Sequence, residues 1–310
     1  MINSIKIGTR SSNLAMYQAN LVKEKLTEIF PNIKYSIVKI KTKGDKIQDQ
    51  NLDRNLDKGF FVKEIQDALI EGKIDIAVHS LKDLPVEENE KIKTSAILKR
   101  GNHYDVFLSR NKKKLHEFSE NEVIGTSSLR RKAQLLHLNP NLNVIDIRGN
   151  VDTRITKMQN GEYDGLIMAA AGIERLGLEK YITEYLNNNI MLSAPGQGAI
   201  AIETNSNCYE LEAIISKINH VKTEKCTFFE RSFMDKLGGG CNSPIAAYSN
   251  VEGDDTCLIG SILSLDGKIL IRDKVESRTK ENIDLGSLLA DKILNNGGKK
   301  VLSIIRKHEK

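Results

Sequence analysis

The tripeptide IGT at residues 7–9 returns at residues 124–126, and each copy stands between a short strand-like run and a helical pattern that begins with serine. A second pair of matches is closer, because GKID at 72–75 and GEYD at 161–164 each follow a helical pattern and precede an apolar run. Strand, helix and strand in alternation are typical of a mainly parallel α/β sheet. The repetition therefore predicts two similar α/β domains.

The first repeat shows the expected rhythm most fully. The pattern predicts strands over 4–8, 34–42 and 74–78, with helices between them, the second over 61–71. Ser11 or Ser12 caps the first helix, whose apolar stripe is Ala15, Ala19, Val22, Leu26 and Ile29. In the second repeat a strand is predicted over 143–147. Ligands of such sheets bind outside the carboxyl ends of the strands, so we expect the two domains to share a cleft.

The pattern changes after about residue 222. A helix is predicted over 223–237, followed by a glycine-rich turn, three strand-like runs up to residue 275 and a helix over 283–294. These elements predict a smaller α+β domain at the C-terminal end. The predicted domains are 1–98 with 197–217, then 103–192, and finally 222–310.

Composition excludes several classes of protein. A chain of 310 residues exceeds what one hydrophobic core usually supports. Its net charge of +5, from 46 Lys and Arg against 41 Asp and Glu, is too nearly balanced for bulk attraction to nucleic acid or a membrane. The sequence has no signal-peptide pattern and no apolar stretch of membrane-spanning length, which predicts a cytoplasmic protein.

Neither the four cysteines nor the six histidines have the spacing of a metal site or a redox pair, so we expect no metal. Cys208, Cys226 and Cys257 fall in or beside periodic segments and are expected to pack. Cys241 differs, because it lies in GGGCNSP at 238–244, a flexible turn where a thiolate can attack an electrophile. Most lone loop cysteines have no such role.

Arginine clusters in one part of the chain. Arg130 and Arg131 lie at the predicted junction of a strand with a helix, in TSSLRR at 126–131, where hydroxyls, backbone N–H groups and guanidiniums can converge on an anion. Arg148 and Arg154 repeat the arrangement around the next helix start, and Arg10 with Ser12 holds the analogous place in the first repeat. Solvated helix ends would explain any single one of these arginines. Their clustering favours an anion site.

Three further segments invite a functional interpretation. In HSLKDLP at 79–85, Lys82 and Asp83 follow a predicted strand, where Asp83 can stabilise a cation or transfer a proton, although an ordinary exposed pair is the simpler reading. The polar stretch 43–58 is either a lid or a disordered excursion. GQGAIA at 196–201 matches a dinucleotide fingerprint, but a strand-like run follows it, which excludes that function.

Together, and in this order and spacing, the motifs resemble the porphobilinogen deaminase family over nearly the whole chain. They are GTRSS at 8–12, KGFFVKE at 58–64, AVHSLKDLP at 77–85, GTSSLRR at 125–131, RGNV at 148–151, GQG at 196–198 and GGC at 239–241. The resemblance implies two doubly wound domains of periplasmic-binding-protein type that flank a cleft, plus the smaller α+β domain.

The resemblance also implies an activity and its residues. A dipyrromethane cofactor would be attached covalently to Cys241, and four porphobilinogen molecules would be joined to it with loss of ammonia before hydrolysis releases hydroxymethylbilane. Asp83 would be catalytic. The residues expected to hold the cofactor are Lys82, Asp83, Thr126, Ser128, Arg130 and Arg131. Those expected to bind substrate are Arg10, Ser12, Lys58, Phe61, Arg148 and Arg154.

A second class of function stays open at this point. A non-catalytic anion-binding or effector-sensing protein of the same two-domain α/β architecture would need the arginine cluster, but it would need neither Asp83 nor Cys241. No heptad pattern or long exposed apolar stripe is visible, so a monomer is expected, with no nucleic-acid or membrane partner.

Overall fold

The computed structural model describes residues 2–42, 62–87, 89–240, 243–278 and 283–308. Lys58, Phe61, Cys241 and the predicted lid at 43–58 lie outside these residues. The chain divides into two compact units, residues 1–101 with 198–225 and residues 102–197 with 226–310. Among the described residues, no helix has both the length and the apolar character needed to span a bilayer.

Strands and helices are numbered in chain order. The strands are β1 Ser4–Thr9, β2 Lys34–Lys39, β3 Ile76–Ser80, β4 Ile92–Ile97, β5 Asp105–Ser109, β6 Val123–Gly125, β7 Asn143–Ile145, β8 Gly165–Ala169, β9 Ile182–Leu186, β10 Ile200–Asn205, β11 Ile245–Glu252, β12 Asp255–Leu263 and β13 Leu270–Arg278. The helices are α1 Asn13–Ile29, α2 Lys63–Ile70, α3 Leu129–Leu138, α4 Val151–Gln159, α5 Ala170–Arg175, α6 Tyr209–Ile215, α7 Val221–Lys236, α8 Leu285–Ile293 and α9 Lys299–His308.

The first unit is built on a five-stranded sheet in the order β2-β1-β3-β10-β4. β1 runs parallel to β2 and β3, whereas β10 is antiparallel to both of its neighbours. The apolar face of α1 packs on this sheet through Ala19, Val22 and Leu26, all fully buried. Because β1 and β3 are parallel neighbours, the loops that follow them emerge at the same edge of the sheet.

The second unit contains a sheet of the same order, β7-β6-β8-β5-β9, in which one strand, β5, again runs antiparallel to the other four. The repeat extends to the helix ends. Gly72 and Gly161 follow α2 and α4 with φ of 70° and 86°, and the next residues donate N–H bonds to Ala68 and Lys157. The two predicted α/β domains of the same doubly wound type are therefore confirmed.

The C-terminal part of the second unit is a three-stranded antiparallel sheet, β11-β12-β13, covered by α7 and α8. α7 ends in a Schellman motif, in which Gly238 has φ of 65° and the N–H groups of Gly238 and Gly239 bond to Asp235 and Met234. The smaller α+β domain is confirmed, and the residue bounds given above for the three domains stay a prediction.

Several predicted bounds were wrong. β3 runs over Ile76–Ser80 and not 74–78, because antiparallel pairing with β10 extends it to Ser80. The apolar stripe of α1 ends at Leu26, since Ile29 is 46% exposed. β2 ends at Lys39 and β7 at Ile145. Strands β4, β5 and β9 and helices α5, α6 and α9 were not predicted.

Candidate active site

Three predicted site residues of the first unit come together around one pocket. Arg10 follows β1, Ser12 caps α1 by accepting a bond from the N–H of Ala15 at 3.4 Å, and Asp83 ends a single 3₁₀ turn after β3. All three line one pocket. Asp83 is exposed, so its carboxylate is accessible to a ligand. The half-buried Lys82 is not part of this lining.

The same pocket includes residues that the sequence analysis did not propose as binding residues. Gln18 is 2% exposed, and its Nε2 donates to Ser80 Oγ at 2.8 Å, while His79 lines the pocket beside them. The sequence did contain an indication that Gln18 is buried. It stands next to Ala19 on the face of α1 that packs on the sheet, and a buried polar residue is more informative than an exposed apolar one.

In the second unit, the three hydroxyls of the loop after β6 have different roles. Ser127 Oγ donates to the carbonyl of Ile147 at 2.6 Å and accepts from the N–H of Ile147 at 3.1 Å, so it ties this loop to the loop before Arg148. Thr126 Oγ1 accepts from the N–H of Ser128, and Ser128 Oγ accepts from the N–H of Arg131. A hydroxyl that accepts a bond can still donate its own hydrogen. Thr126, which is 1% exposed, and the half-buried Ser128 therefore each keep a hydroxyl hydrogen for a further bond, whereas Ser127 is committed to the backbone.

Arg130 and Arg131 are buried, with 4% and 6% exposure, and both bind the fully buried Asp105. Arg130 Nη1 lies 2.7 Å from one carboxylate oxygen and 2.6 Å from the carbonyl of Leu192. Arg131 donates from Nε and Nη2 to the other oxygen, at 3.1 and 2.7 Å. Gln197 Nε2 donates to Asp105 as well, at 3.0 Å. The arginines are thus fixed by one shared carboxylate.

The charge of this cluster is unbalanced. Burial alone would raise the pKa of Asp105, but the charges of Arg130 and Arg131 outweigh burial and hold that pKa well below its usual range. Burial also lowers the pKa of the Arg130 guanidinium. Two guanidiniums against one carboxylate leave a net positive charge, and this surplus favours a bound anion.

Arg148 and Arg154 flank the start of α4. Asn150 caps this helix by accepting from the N–H of Thr153 at 3.0 Å, and Arg154 Nε donates to the carbonyl of Gly149 at 2.8 Å. Gly149 has φ of 114°, and a Cβ there would lie 2.7 Å from the Thr153 side chain. Only glycine suits this position, which sets the path of the chain between the two arginines.

The chain on either side of Cys241 is held together by Ser243. Its N–H and its Oγ both donate to the carbonyl of Gly240, at 3.1 and 2.8 Å. Cys208 and Cys257 form no disulfide with another described residue, and Cys226 is buried.

Two family models match the chain. Residues 5–213 match "Porphobilinogen deaminase, dipyromethane cofactor binding domain", and residues 224–295 match "Porphobilinogen deaminase, C-terminal domain". The chain belongs to the porphobilinogen deaminase family. The resemblance read from the sequence motifs is thereby confirmed.

Curated relatives agree with this over nearly the full length. The porphobilinogen deaminase of Alkaliphilus metalliredigens is 42% identical over 304 residues, covering 98% of this chain and 96% of the relative. That of Carboxydothermus hydrogenoformans is 43% identical over 307 residues, covering 99% of each chain. That of Thermus thermophilus is 43% identical over 303 residues, covering 97% of this chain and 99% of the relative.

Solved structures with partial similarity include two solute-binding proteins. A TRAP periplasmic solute binding protein from Desulfovibrio salexigens gives a TM-score of 0.45 at 10% identity, covering 73% of this chain and 75% of that one. The methionine binding protein MetQ gives a TM-score of 0.44 at 11% identity, covering 70% and 89%.

Membership of the family confirms the predicted activity. The protein is a transferase of tetrapyrrole biosynthesis that joins four porphobilinogen molecules head to tail, with loss of ammonia, on a dipyrromethane primer and then releases hydroxymethylbilane by hydrolysis. The alternative of a non-catalytic anion-binding protein is not favoured.

Proposed function

We propose that the protein is a hydroxymethylbilane synthase (EC 2.5.1.61) in which Asp83 is the catalytic residue and Cys241 carries dipyrromethane through a thioether. The observation that carries this proposal is the pocket lined by Asp83, Arg10 and Ser12 at one edge of the first sheet. An accessible carboxylate beside a guanidinium and a hydroxyl suits a substrate that has both cationic and anionic groups.

Asp83 has two tasks in this proposal. Its carboxylate accepts hydrogen bonds from pyrrole N–H groups, and its negative charge stabilises the positive charge that develops as ammonia leaves. It can also take up and return a proton at its carboxylate oxygens. When bound, the cofactor supplies the terminal pyrrole carbon to which the next substrate is joined.

The second unit fits the acidic side chains of dipyrromethane. The surplus positive charge of the Arg130 and Arg131 cluster and the available hydroxyl hydrogens of Thr126 and Ser128 can hold acetate and propionate groups. We assign Lys82 and Asp83 to the same cofactor. Incoming substrate is assigned to Arg10, Ser12, Lys58, Phe61, Arg148 and Arg154.

The remaining features of the proposal concern the whole molecule. We propose three domains, 1–98 with 197–217, 103–192 and 222–310, and a lid formed by 43–58. We also propose a cytoplasmic monomer without a nucleic-acid partner, and the nearly balanced charge supports the last of these points. Light scattering on the purified protein tests the oligomeric state.

Intact-protein mass spectrometry under denaturing conditions tests the attachment site. We expect the wild type to carry an excess mass of two linked pyrroles, Cys241→Ser to lack it and Cys257→Ser, the matched control in the same domain, to keep it. An unmodified wild type that stays unmodified after incubation with porphobilinogen would contradict the proposal and favour an anion-binding protein.

Steady-state turnover of porphobilinogen tests the role of Asp83. Asp83→Ala removes the charge from an exposed position, so we expect an intact fold by circular dichroism and loss of nearly all turnover. Wild-type turnover by this variant would exclude Asp83 as the catalytic residue.

A further inference from the structure

A buried acid and a buried base meet behind the Asp83 pocket. His79 on β3 and Glu203 on β10 are each 6% exposed, and His79 Nε2 lies 3.1 Å from Glu203 Oε2. The direction of this contact falls short of a hydrogen bond, and neither atom has another hydrogen-bond partner among the described residues. The other carboxylate oxygen of Glu203 accepts from Gln66 Nε2 on α2 at 3.0 Å. This His79–Glu203 pair is not part of the proposed chemistry.

Stability alone does not account for such a pair. β3 and β10 are already joined along five residue pairs, from Ile200 with Ser80 to Thr204 with Ile76. Buried polar or ionic pairs often contribute little net stability compared with apolar residues of similar volume, but they can fix one specific arrangement. The position of the His79–Glu203 pair therefore matters more than its contribution to the free energy of folding.

The pair lies next to the end of β3, which leads into the 3₁₀ turn Leu81–Asp83. Glu203 lies 3.1 Å from His79, Gln18 donates to the next residue, Ser80, and the N–H of Leu81 donates to the carbonyl of Ala199 at 3.0 Å. The three consecutive residues 79–81 are thus contacted by two segments, α1 and the stretch 199–203, and only Lys82 separates them from Asp83. His79 itself lines the pocket that Asp83 lines.

We propose that His79 and Glu203 form a positioning pair that aims the Asp83 carboxylate by fixing the end of β3. The inference rests on the proposed catalytic role of Asp83. The charged and titratable groups around His79 are Glu203 on β10 and, in the shared pocket lining, Arg10 and Asp83.

Glu203→Gln is the test, because it keeps the shape of the side chain and removes the charge that faces His79. We expect kcat to fall about tenfold or more, since small misplacement of a catalytic group has effects of this size. KM should stay within about threefold and the cofactor mass should be unchanged, because substrate and cofactor contacts are not touched.

A double-mutant cycle with Asp83→Glu separates positioning from stability. If Glu203 acts through Asp83, adding Glu203→Gln to an already displaced carboxylate should lower kcat by no more than about threefold. An equal loss in both backgrounds would overturn the proposal.

Thr204→Val provides the matched control on the same strand. Thr204 is fully buried, and its Oγ1 lies 2.6 Å from Ser95 Oγ on β4, away from the pocket lining. We expect kcat within about twofold of the wild type, and a loss as large as that of Glu203→Gln would also overturn the proposal.

If Glu203→Gln does not fold, Gln66→Met, which removes the donor to Glu203, is measured in the same cycle and decides by the same criteria. Wild-type turnover by Asp83→Ala would instead contradict the proposed function itself.

Discussion

Replacing Asp105 by asparagine tests the buried charge cluster of the second unit. Asp105 is fully buried between Arg130 and Arg131, which are themselves 4% and 6% exposed. The substitution keeps the side-chain shape but leaves two buried guanidiniums without a counter-ion. Removing one partner of a buried ion pair costs about 3–5 kcal/mol. We expect the free energy of unfolding to fall by about this amount at neutral pH.

The same variant has a defined pH dependence. Because Arg130 and Arg131 hold the pKa of Asp105 well below its usual range in the folded protein, only the unfolded chain takes up a proton there near its ordinary pKa of about 4. A lowered folded-state pKa contributes stability above the unfolded pKa, and this contribution is lost as the pH falls further. The difference between wild type and Asp105→Asn should therefore be constant above about pH 5 and narrow below about pH 4.

Urea denaturation followed by far-UV circular dichroism measures this difference, since the chain contains no tryptophan to report by fluorescence. Arg110→Ala is the control, because Arg110 and its partner Asp164 are 40% and 24% exposed and surface pairs contribute only about 0–1 kcal/mol. A loss below about 1 kcal/mol for Asp105→Asn, or a loss that does not change with pH, would refute the argument.

Two further substitutions probe backbone contacts of the second unit. Ser127→Ala removes both hydrogen bonds to Ile147, so we expect the free energy of unfolding in urea to fall by about 1–3 kcal/mol. We also expect a raised KM for porphobilinogen, because the loop before Arg148 loses its anchor. An unchanged KM would show that Ser127 does not affect substrate binding. Gly267→Ala would place a Cβ 2.5 Å from the backbone nitrogen of His137, at a φ of 72°, so we expect the free energy of unfolding to fall by about 1–3 kcal/mol. The loss should be smaller for Gly253→Ala, where φ is 59° but no atom lies within 4 Å of the added Cβ.

The repeated motifs were sufficient to predict the architecture. Local periodicity located β1, α1 and α7 closely, because each has a cap or a glycine at its end and an apolar pattern along it. It could not locate β5 or the role of β10. These strands return to a sheet from distant parts of the chain and pair antiparallel there, and such long-range pairing leaves no local pattern.

The candidate site, too, could be predicted from the sequence only in part. Arg10, Ser12 and Asp83 could be placed together from sequence, because all three follow or cap elements at one edge of a parallel sheet. The partners of Arg130 and Arg131 could not be predicted from the sequence. Asp105 opens an apolar run and was a signal that some cation must neutralise it, but which cation does so depends on how β5 lies against α3.

The helices α1 and α3 begin with the same type of cap, but their arginines lie at different positions relative to it. Ser12 and Ser128 cap α1 and α3 by the same bond to the third residue of the helix, and neither helix has an acidic residue in its first turn, whereas α2, α6 and α7 do. Both helix ends therefore keep their partial positive charge. In α1 the added cation, Arg10, precedes the cap and lines the pocket with Asp83. In α3 the cations lie inside the first turn, where the helix dipole disfavours them, and Asp105 offsets only one of the two charges. An anion bound at the start of α3 would remove that remaining imbalance, so the acidic cofactor proposed for this position would stabilise two arginines that the helix dipole alone disfavours.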